Sequence, residues 1–358
     1  MRDPLETVEV ILGGSSFSGW SQVSIEMSVE QAARTASLTI SDFAGSLQIK
    51  PDTPCELRAS GDLLITGFVR DVSPSHDGHQ HQVQISVVSK TVDLVEASID
   101  HPTGFVEKMD VGAIGKAFDT SGIGVEVDEN FPEEPRRFVN TGESWFYHME
   151  PLVRSHSGFI YDTPEGTIRI AKKPRGRHSG ALAIGDGGNI IAASAKLTGR
   201  GRHNPVIVRG QSSRGVGAGA LRIEARVEDG GVGRSRPRIV IHESEATASK
   251  LQDRAAREVK RAAGRSREAQ VTVAGWRDQG GRLFEPHYLI SLRDPRIYID
   301  QDMAIKGVRF SQSITGDGTR AELSLCDPRA LNGEPSSGGS SDEVWNTPDI
   351  EASIGSAQ

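Results

Sequence analysis

Hydrophobic and polar residues alternate along much of this 358-residue chain. Val23, Ile25, Met27 and Val29 share one parity while Ser24, Glu26 and Ser28 share the other, which is the period of a half-buried strand. Ser37-Leu38-Thr39-Ile40-Ser41 repeats the alternation, and strand signals follow at Cys55 to Leu57, Leu64 to Val69 and Val83 to Val87. Val8 and Val10 open an earlier strand that Gly13-Gly14 turns. Short strands at this spacing, with no long helix between them, predict a β-barrel or sandwich over residues 1–98. Gly67 interrupts a strand pattern, where glycine marks a bulge or a close backbone approach.

The period then changes. Between 99 and 180 the pattern predicts a small α+β module. Asp110 can cap a short helix with the stripe Val111, Ile114 and Phe118, closed by Gly122. Val125 and Val127 alternate as a strand. A second helix begins near Thr141-Gly142-Glu143, with Trp145, Met149, Leu152 and Val153 on its apolar face. Pro151 predicts a kink there or a fresh helix start. Phe159 to Tyr161 and Thr167 to Ala171 flank Asp-Thr-Pro-Glu-Gly as a hairpin. A second β region follows over 181–240, with Ile190-Ile191 and Pro205 to Arg209 as strands. Residues 241–275 hold the long helix signal: Ser244 as cap, then Ala248, Leu251, Ala255, Val259 and Ala262 up to Gly264. Strands return at Gln270 to Ala274 and Tyr288 to Leu292, and 276–330 closes the second β region. From 331 to 358 the chain is Ser/Gly-rich and predicts a disordered tail.

Part of this pattern occurs twice. Asp62, Ile65, Gly67, Ser73, Asp77 and Gly78 are matched, without a gap, by Asp302, Ile305, Gly307, Ser313, Asp317 and Gly318, at a constant offset of 240 (307 − 67). Val83 and Ile85 then fall in step with Leu323 and Leu325. Each copy reads as a strand, an Asp-Gly tip and a returning strand. The fold class expected is mainly β with α+β insertions, built on two similar β units.

Charge and chemistry narrow the function. Lys+Arg number 41 against Asp+Glu 48, a formal charge of −7, which argues against a wide phosphate-binding surface. Cys55 and Cys326 sit in strand contexts and read as inert core thiols. The start of the chain has no signal-like apolar run, and no segment approaches the roughly 20 apolar residues of a membrane helix, so a soluble, cytoplasmic product is expected. His76, His79 and His81 cluster at a predicted hairpin tip and read as a solvated loop rather than a metal site. Gly122-Ile123-Gly124 and Gly215-Val216-Gly217-Ala218-Gly219 lack the strand-then-helix setting of phosphate loops and read as turns. Asp186 lacks the companion carboxylates of a calcium loop. Arg175, Arg177 and His178 read as a solvated basic linker, and Trp20 as core. No catalytic, cofactor-binding or metal residue is expected.

Four stretches resemble the baseplate hub proteins of Mu-like contractile-tailed phages. They are VEVILGGSSFSGWSQVSIEMSVEQAARTASLTISD, ITGFVRDVSPSHDGHQHQVQISVVSKTVDLVEAS, GESWFYHMEPLVRSHSGFIYDTPEGTIRIA and GWRDQGGRLFEPHYLISLRDPRIYIDQDMAIKGVRF. Together they cover most of residues 5–330 in the family's order. The chain departs from it where Val87 and Val88, rather than a Gly-Arg pair, precede Ser89, and at Pro151. The resemblance implies a homotrimer with two tube-protein-like β-barrels per chain, making a pseudo-sixfold ring. Such a hub joins a sixfold tail tube to a threefold central spike and surrounds the DNA passage in a virion baseplate. It implies no enzyme activity and no cofactor. The partners implied are further copies of the chain, the tail tube, the spike and other baseplate proteins, with DNA only in transit and no membrane insertion. The head of a contractile injection spike, in type VI secretion or a tailocin, is the nearest alternative. A glycan-binding or glycan-hydrolysing tail protein is the reading from another class. Retaining glycosidases need two carboxylates about 5 Å apart, whereas Glu133-Glu134 and Glu165 lie in predicted loops without a partner.

Overall fold

The computed structural model describes residues 6–41, 49–77, 81–156, 158–211, 223–242, 247–314, 316 and 318–331. The chain opens with β1 (Val8–Leu12), β2 (Ser15–Phe17), β3 (Gln22–Ser28), β4 (Thr35–Ser41), β5 (Pro54–Ala59), β6 (Asp62–His76) and β7 (His81–Ser89). A mixed segment follows: α1 (Asp93–Glu96), β8 (Phe105–Asp110), α2 (Val111–Phe118), β9 (Val125–Val127), β10 (Glu133–Phe138), α3 (Trp145–Ser155), β11 (Phe159–Asp162) and β12 (Ile168–Ala171). Then come β13 (Gly176–Ala183), β14 (Ile190–Leu197), β15 (Val206–Gly210), β16 (Ile223–Val227), β17 (Arg238–His242) and α4 (Ala248–Gly264). The last strands are β18 (Arg267–Ala274), β19 (Tyr288–Asp294), β20 (Ile299–Ser313) and β21 (Gly318–Cys326). The fold is mainly β with α+β additions, as the alternation predicts.

The early and late strands join in one 13-stranded sheet. Within it, a five-stranded unit occurs twice, in the same chain order and with the same pairing. One path runs β3-β4-β7-β6-β5 and the other β14-β18-β21-β20-β19, every neighbour antiparallel. In the second unit, β15 to β17 and α4 are inserted between the first strand and the second. The units meet where β3 pairs with β20, from Gly307↔Ser28 to Ser313↔Gln22.

The repeat is therefore real as a hairpin, but its register differs from the sequence match. Both hairpins have strands of 15 and 9 residues. Against its returning strand, each outgoing strand carries one bulge, at Arg70 and at Lys306. Val69↔Val87 precedes the first bulge and Ile305↔Leu325 the second, so the outgoing strands correspond at an offset of 236 (305 − 69) and the returning strands at 238 (325 − 87). Both offsets are even, which keeps core residues facing the core. The 240 match also has even parity, so it preserves the alternation while slipping along the ladder. Gly67 and Gly307 are thus not equivalent. A Cβ on Gly67 would lie 1.8 Å from the Val88 carbonyl oxygen, whereas on Gly307 the nearest atom is 3.5 Å away. Of the two expectations for Gly67, the close backbone approach is correct.

One core serves both units. Ile25, Leu38 and Ile85 from the first are fully buried with Phe310, Ala321 and Leu323 from the second. Trp276 stacks on Phe310 at 4.8 Å and its indole N–H donates to the Ser311 carbonyl. A separate core forms under α2 and α3 around Phe118, Trp145 and Met149. Asp110 caps α2 by accepting from the Ala113 amide at 2.9 Å, as predicted. That helix ends at Phe118, before Gly122, and the Asp119 carboxylate collects the Ile123 and Gly124 amides. Helix α3 runs through Pro151 without a new start, and the missing N–H leaves the Tyr147 carbonyl without its helical donor. Glu133 and Glu134 lie in β10, not a loop, because β10 pairs with β8 and Arg136 meets Glu107 across it. A third core lies where Leu251 and Ala255 of α4 pack on Val206, Val208 and Ala225. The cap of α4 is Thr247, whose hydroxyl accepts from the Lys250 amide at 3.3 Å. Ser244, the expected cap, lies outside the described residues, as does the segment 332–358.

Candidate assembly surface

The repeat leaves two strand edges unequal. In the second unit, β20 is paired on both sides: with β21 on one, and with β19 and then β3 on the other. In the first unit, β6 pairs with β5 only from Asp62 to Phe68. Beyond the bulge, Asp71 to His76 pairs with β7 alone among the described residues. Strand β14, the counterpart of β3, pairs with β18 alone among the described residues. Among the described residues the chain thus leaves these two strand edges open, and they are the counterparts of β20 and β3, which are joined inside the chain. Exposed strand edges of this kind are templates for pairing with another chain.

The face of the sheet opposite the core is polar and internally tied. Gln84 donates to Ser37 at 2.9 Å, Ser86 to Asp71 at 2.7 Å and Ser324 to Gln270 at 3.0 Å. Glu26 and Arg309 pair at 3.3 Å across the β3–β20 joint. Hydroxyls and amides that satisfy one another across strands leave a face with few unpaired charges.

A buried junction fixes the α2–α3 segment to the large sheet. Arg34, between β3 and β4, meets Asp162 at the end of β11: its amide donates to Oδ2 at 2.8 Å and its Nε to Oδ1 at 3.1 Å. The same guanidinium reaches the carbonyls of Asp162 and Leu64, each at 3.2 Å. Arg34 and Asp162 are 3% and 4% exposed, so this pair is wholly inside the protein. Beside it, His287 stacks on Phe159 at 4.3 Å and lies 4.2 Å from Tyr161. Neither His287 ring nitrogen has a hydrogen-bond partner. Burial, with the Arg175 and Arg34 charges adding to it, pushes the imidazole down to about 3.

This histidine makes the fold acid-sensitive. Unfolded His takes up a proton below about pH 6.5, whereas His287 stays neutral in the fold until about pH 3. Stability present above pH 6.5 is therefore expected to fall by about 1.4 kcal/mol per pH unit as acidity increases through that window. Guanidinium unfolding at several pH values measures the slope. The His287→Asn variant, whose side chain tolerates the positive φ at this position, is expected to lose that part of it.

The residues singled out in the sequence divide clearly. Trp20 is core at 4% exposure. Cys55 and Cys326 are buried free thiols; burial raises both, Cys55 to about 12. The His76 and His81 rings lie 6.4 Å apart at the β6–β7 tip, while His79 falls outside the described residues, as does the 215–219 glycine run. Among the described residues no group of three His, Cys, Asp or Glu side chains is placed to hold a metal. Gly122 to Gly124 and Asp186 lie in turns or loops. Arg175, Arg177 and His178 are not a solvated linker: they enter β13, whose parallel pairing with β19 draws them against acids. Arg175 pairs with Glu285 and Arg177 with the buried Asp302. His178 accepts from the Glu285 amide through Nε2, so its Nδ1 carries the proton donated to Asp278 at 2.9 Å. Sequence reading missed the open edges and the Arg34–Asp162 pair, because both depend on which distant strands become neighbours.

Comparison with known proteins gives the chain's relatives. Residues 7–87 match the family described as Mu phage baseplate assembly protein GpP-like, N-terminal. Residues 247–334 match Mu phage baseplate assembly protein GpP, fourth domain. The first match takes in most of the first repeated unit, and the second takes in α4 and β18 to β21 but not β14. Both matches are to Mu-type baseplate proteins. It is 22% identical over 304 residues to baseplate hub protein gp44 of Escherichia phage Mu, covering 80% of this chain and 78% of that protein. The 43 kDa tail protein of prophage MuSo2 from Shewanella oneidensis superposes with a TM-score of 0.79 at 27% identity, over 91% of this chain and 99% of the other. A tail protein from Neisseria meningitidis MC58 shares the fold, with a TM-score of 0.74 at 20% identity over 92% and 100% of the two chains. These likenesses support a structural role for the chain in a phage-type tail baseplate.

Proposed function

We propose that three copies close into a ring that forms the hub of the baseplate, with β14 of each copy pairing to the Asp71–His76 edge of the next. The observation that carries this reading is the internal joint between β20 and β3. Transferring it through the repeat sets Ser73 opposite Lys196 of the neighbouring copy, in the place of Arg309 and Glu26. Ser75 then faces Ser194, and Asp71 faces Thr198 near the Lys196 cation. Three such heterologous contacts alternate with three internal joints, so six equivalent units surround one opening, as closed cyclic symmetry allows. On this reading residues 1–98 form one tube-like barrel, and 181–240 with 276–330 form the other. The segments 99–180 and 241–275 are additions outside them. A ring sixfold in its repeated units and threefold in its chains adapts the tail tube to the central spike. Its polar face, rich in Ser and Gln, lines the DNA passage. A lining without a basic patch lets phosphates slide rather than bind. Assembly takes place in the bacterial host cytoplasm, with tube, spike and other baseplate proteins as partners.

The test is a pair of cysteines, Ser73→Cys with Lys196→Cys, in a chain whose native thiols are buried. Oxidation is expected to give covalent trimers from the double variant and none from either single variant. A permanent contact of this class buries about 2,000 Å² or more per pair, so the unmodified protein is expected to remain trimeric on dilution. A monomeric mass at micromolar concentration, with no cross-linking, would sink the ring.

A further inference from the structure

The small sheet β16-β15-β17 has an open edge of its own. Helix α4 covers one face of it, packing on Val206, Val208 and Ala225 with Val240 alongside. Strand β17 lies at the margin, and among the described residues its strand partner is β15 alone. The Arg238 amide donates to the Pro205 carbonyl at 3.0 Å, and the Arg236 and Asn204 backbones exchange hydrogen bonds. Successive residues of a strand turn their backbone groups to opposite edges. The amides and carbonyls of Ile239 and Ile241 therefore point away from β15. Their side chains alternate with Val240 and so stand on the face opposite α4, 52% and 72% exposed. Pro237 has no N–H and ends this row of donors on one side.

This part of the chain is opposite in charge to the rest. Residues 199–265, which hold β15 to β17 and α4, carry 15 Lys+Arg against 7 Asp+Glu. The other residues carry 26 (41 − 15) against 41 (48 − 7). In the sheet and its flanks, Glu224 pairs with Arg209 at 3.1 Å, Glu228 with Arg226 at 3.9 Å and Asp229 with Arg202. Among the described residues no carboxylate pairs with Arg234, Arg236 or Arg238, which lead into Ile239. Arg236 and Arg238 occupy even positions and the two isoleucines odd ones, so cations border one face of the edge and apolar groups the other. Two such edges repel each other, because pairing them brings like charges together. Residues 199–265 contain no Phe, Trp or Tyr on which a nucleic-acid base could stack.

We propose that the β17 edge docks an extended segment of another protein, one in which apolar and acidic residues alternate. The backbone of that segment pairs with Ile239 and Ile241. Its apolar side chains cover the two isoleucines, and its carboxylates, on the other face, meet Arg236 and Arg238. Strand addition of this kind takes its affinity from main-chain bonds and its selectivity from every second side chain.

Fluorescence anisotropy with the full chain tests the proposal. The probe is a labelled peptide of about ten residues, the upper length of common strands, alternating Val and Glu. Saturable binding is expected. An isomer with its Val residues grouped, and a peptide with Lys in place of Glu, should each bind at least about tenfold more weakly, a difference of about 1.4 kcal/mol. Ile241→Pro removes an outward amide and spares the β15 ladder, as edge strands tolerate. It is expected to weaken the alternating peptide by a similar factor, as is Arg234→Glu with Arg238→Glu, both exposed positions. Circular dichroism checks that the variants keep the fold. The edges of the proposed ring, β14 and part of β6, are untouched by these changes. Binding retained in Ile241→Pro, equal binding of the two isomers, or none below about 1 mM overturns the proposal. Tighter binding of a single-stranded oligonucleotide or of phosphatidylglycerol vesicles also overturns it, since the arginines would then be a phosphate site.

Discussion

Replacing Arg34 by alanine is expected to destabilise the protein by about 3–5 kcal/mol, the usual cost of stripping one partner from a buried ion pair. Arg34 supplies four hydrogen bonds, three of them to Asp162 and one to the Leu64 carbonyl; the amide bond survives the substitution and the guanidinium bonds do not. Burial raises the Asp162 pKa, and the Arg34 charge and hydrogen bonds counter it. Without the guanidinium, that carboxylate must either stay charged in a dry site or take a proton. The double variant Arg34→Met with Asp162→Leu is expected to recover most of the loss, since well-packed apolar groups replace buried pairs at little cost. Denaturant unfolding of the three variants reads both effects. A single-variant loss below about 1 kcal/mol, typical of an exposed pair, would show that this junction is held by its apolar and ring contacts alone.

Gly67→Ala is expected to cost at least about 1–3 kcal/mol, the range for forcing a methyl into closed packing. Its Cβ would sit 1.8 Å from the Val88 oxygen and 2.8 Å from the Ser89 Cα, both backbone atoms of the paired strand. Relief requires β6 and β7 to part within a ladder that begins at Gly67↔Ser89. Gly307→Ala meets nothing closer than 3.5 Å and is expected to stay within about 0.5 kcal/mol of the parent. The two glycines occupy matching places in the sequence repeat. Measuring both by denaturant unfolding separates that match from the structural one: equal losses would restore the 240-residue equivalence.

What could be read in the sequence depended on how locally each feature is specified. Val23, Ile25 and Met27 face one core along their whole strand, so their alternation survives in the text. The stripe of α4 was legible because Leu251 and Ala255 bury against one sheet. Strands β8 and β10 were not legible. Among the described residues they pair only with each other, they leave Phe105 and Phe138 exposed at 39% and 59%, and so they need no apolar period. The basic run Arg175 to His178 misled because its partners Glu285, Asp302 and Asp278 lie about a hundred residues away in sequence. The hairpin repeat was found but misregistered, since strand parity tolerates a slip of two or four residues. Of the assembly surface, only the duplication was visible; the open edges follow from sheet order.

The joint between β3 and β20 also sets a timetable for folding. Its partners, Ser28 and Gly307, lie 279 residues apart in sequence (307 − 28). At a synthesis rate of about 5–20 residues per second, β3 waits roughly 14–56 s on the ribosome before β20 exists. Throughout that interval the first unit has β4 in place and a bare edge beside it. On a polysome, nascent chains stand close together, and the Asp71–His76 edge of a neighbour, the counterpart of the β20 edge that β3 awaits, competes for that place. Closing the joint within one chain before its outer edges find another is thus a race, and the order of those two events separates an assembled particle from a tangle.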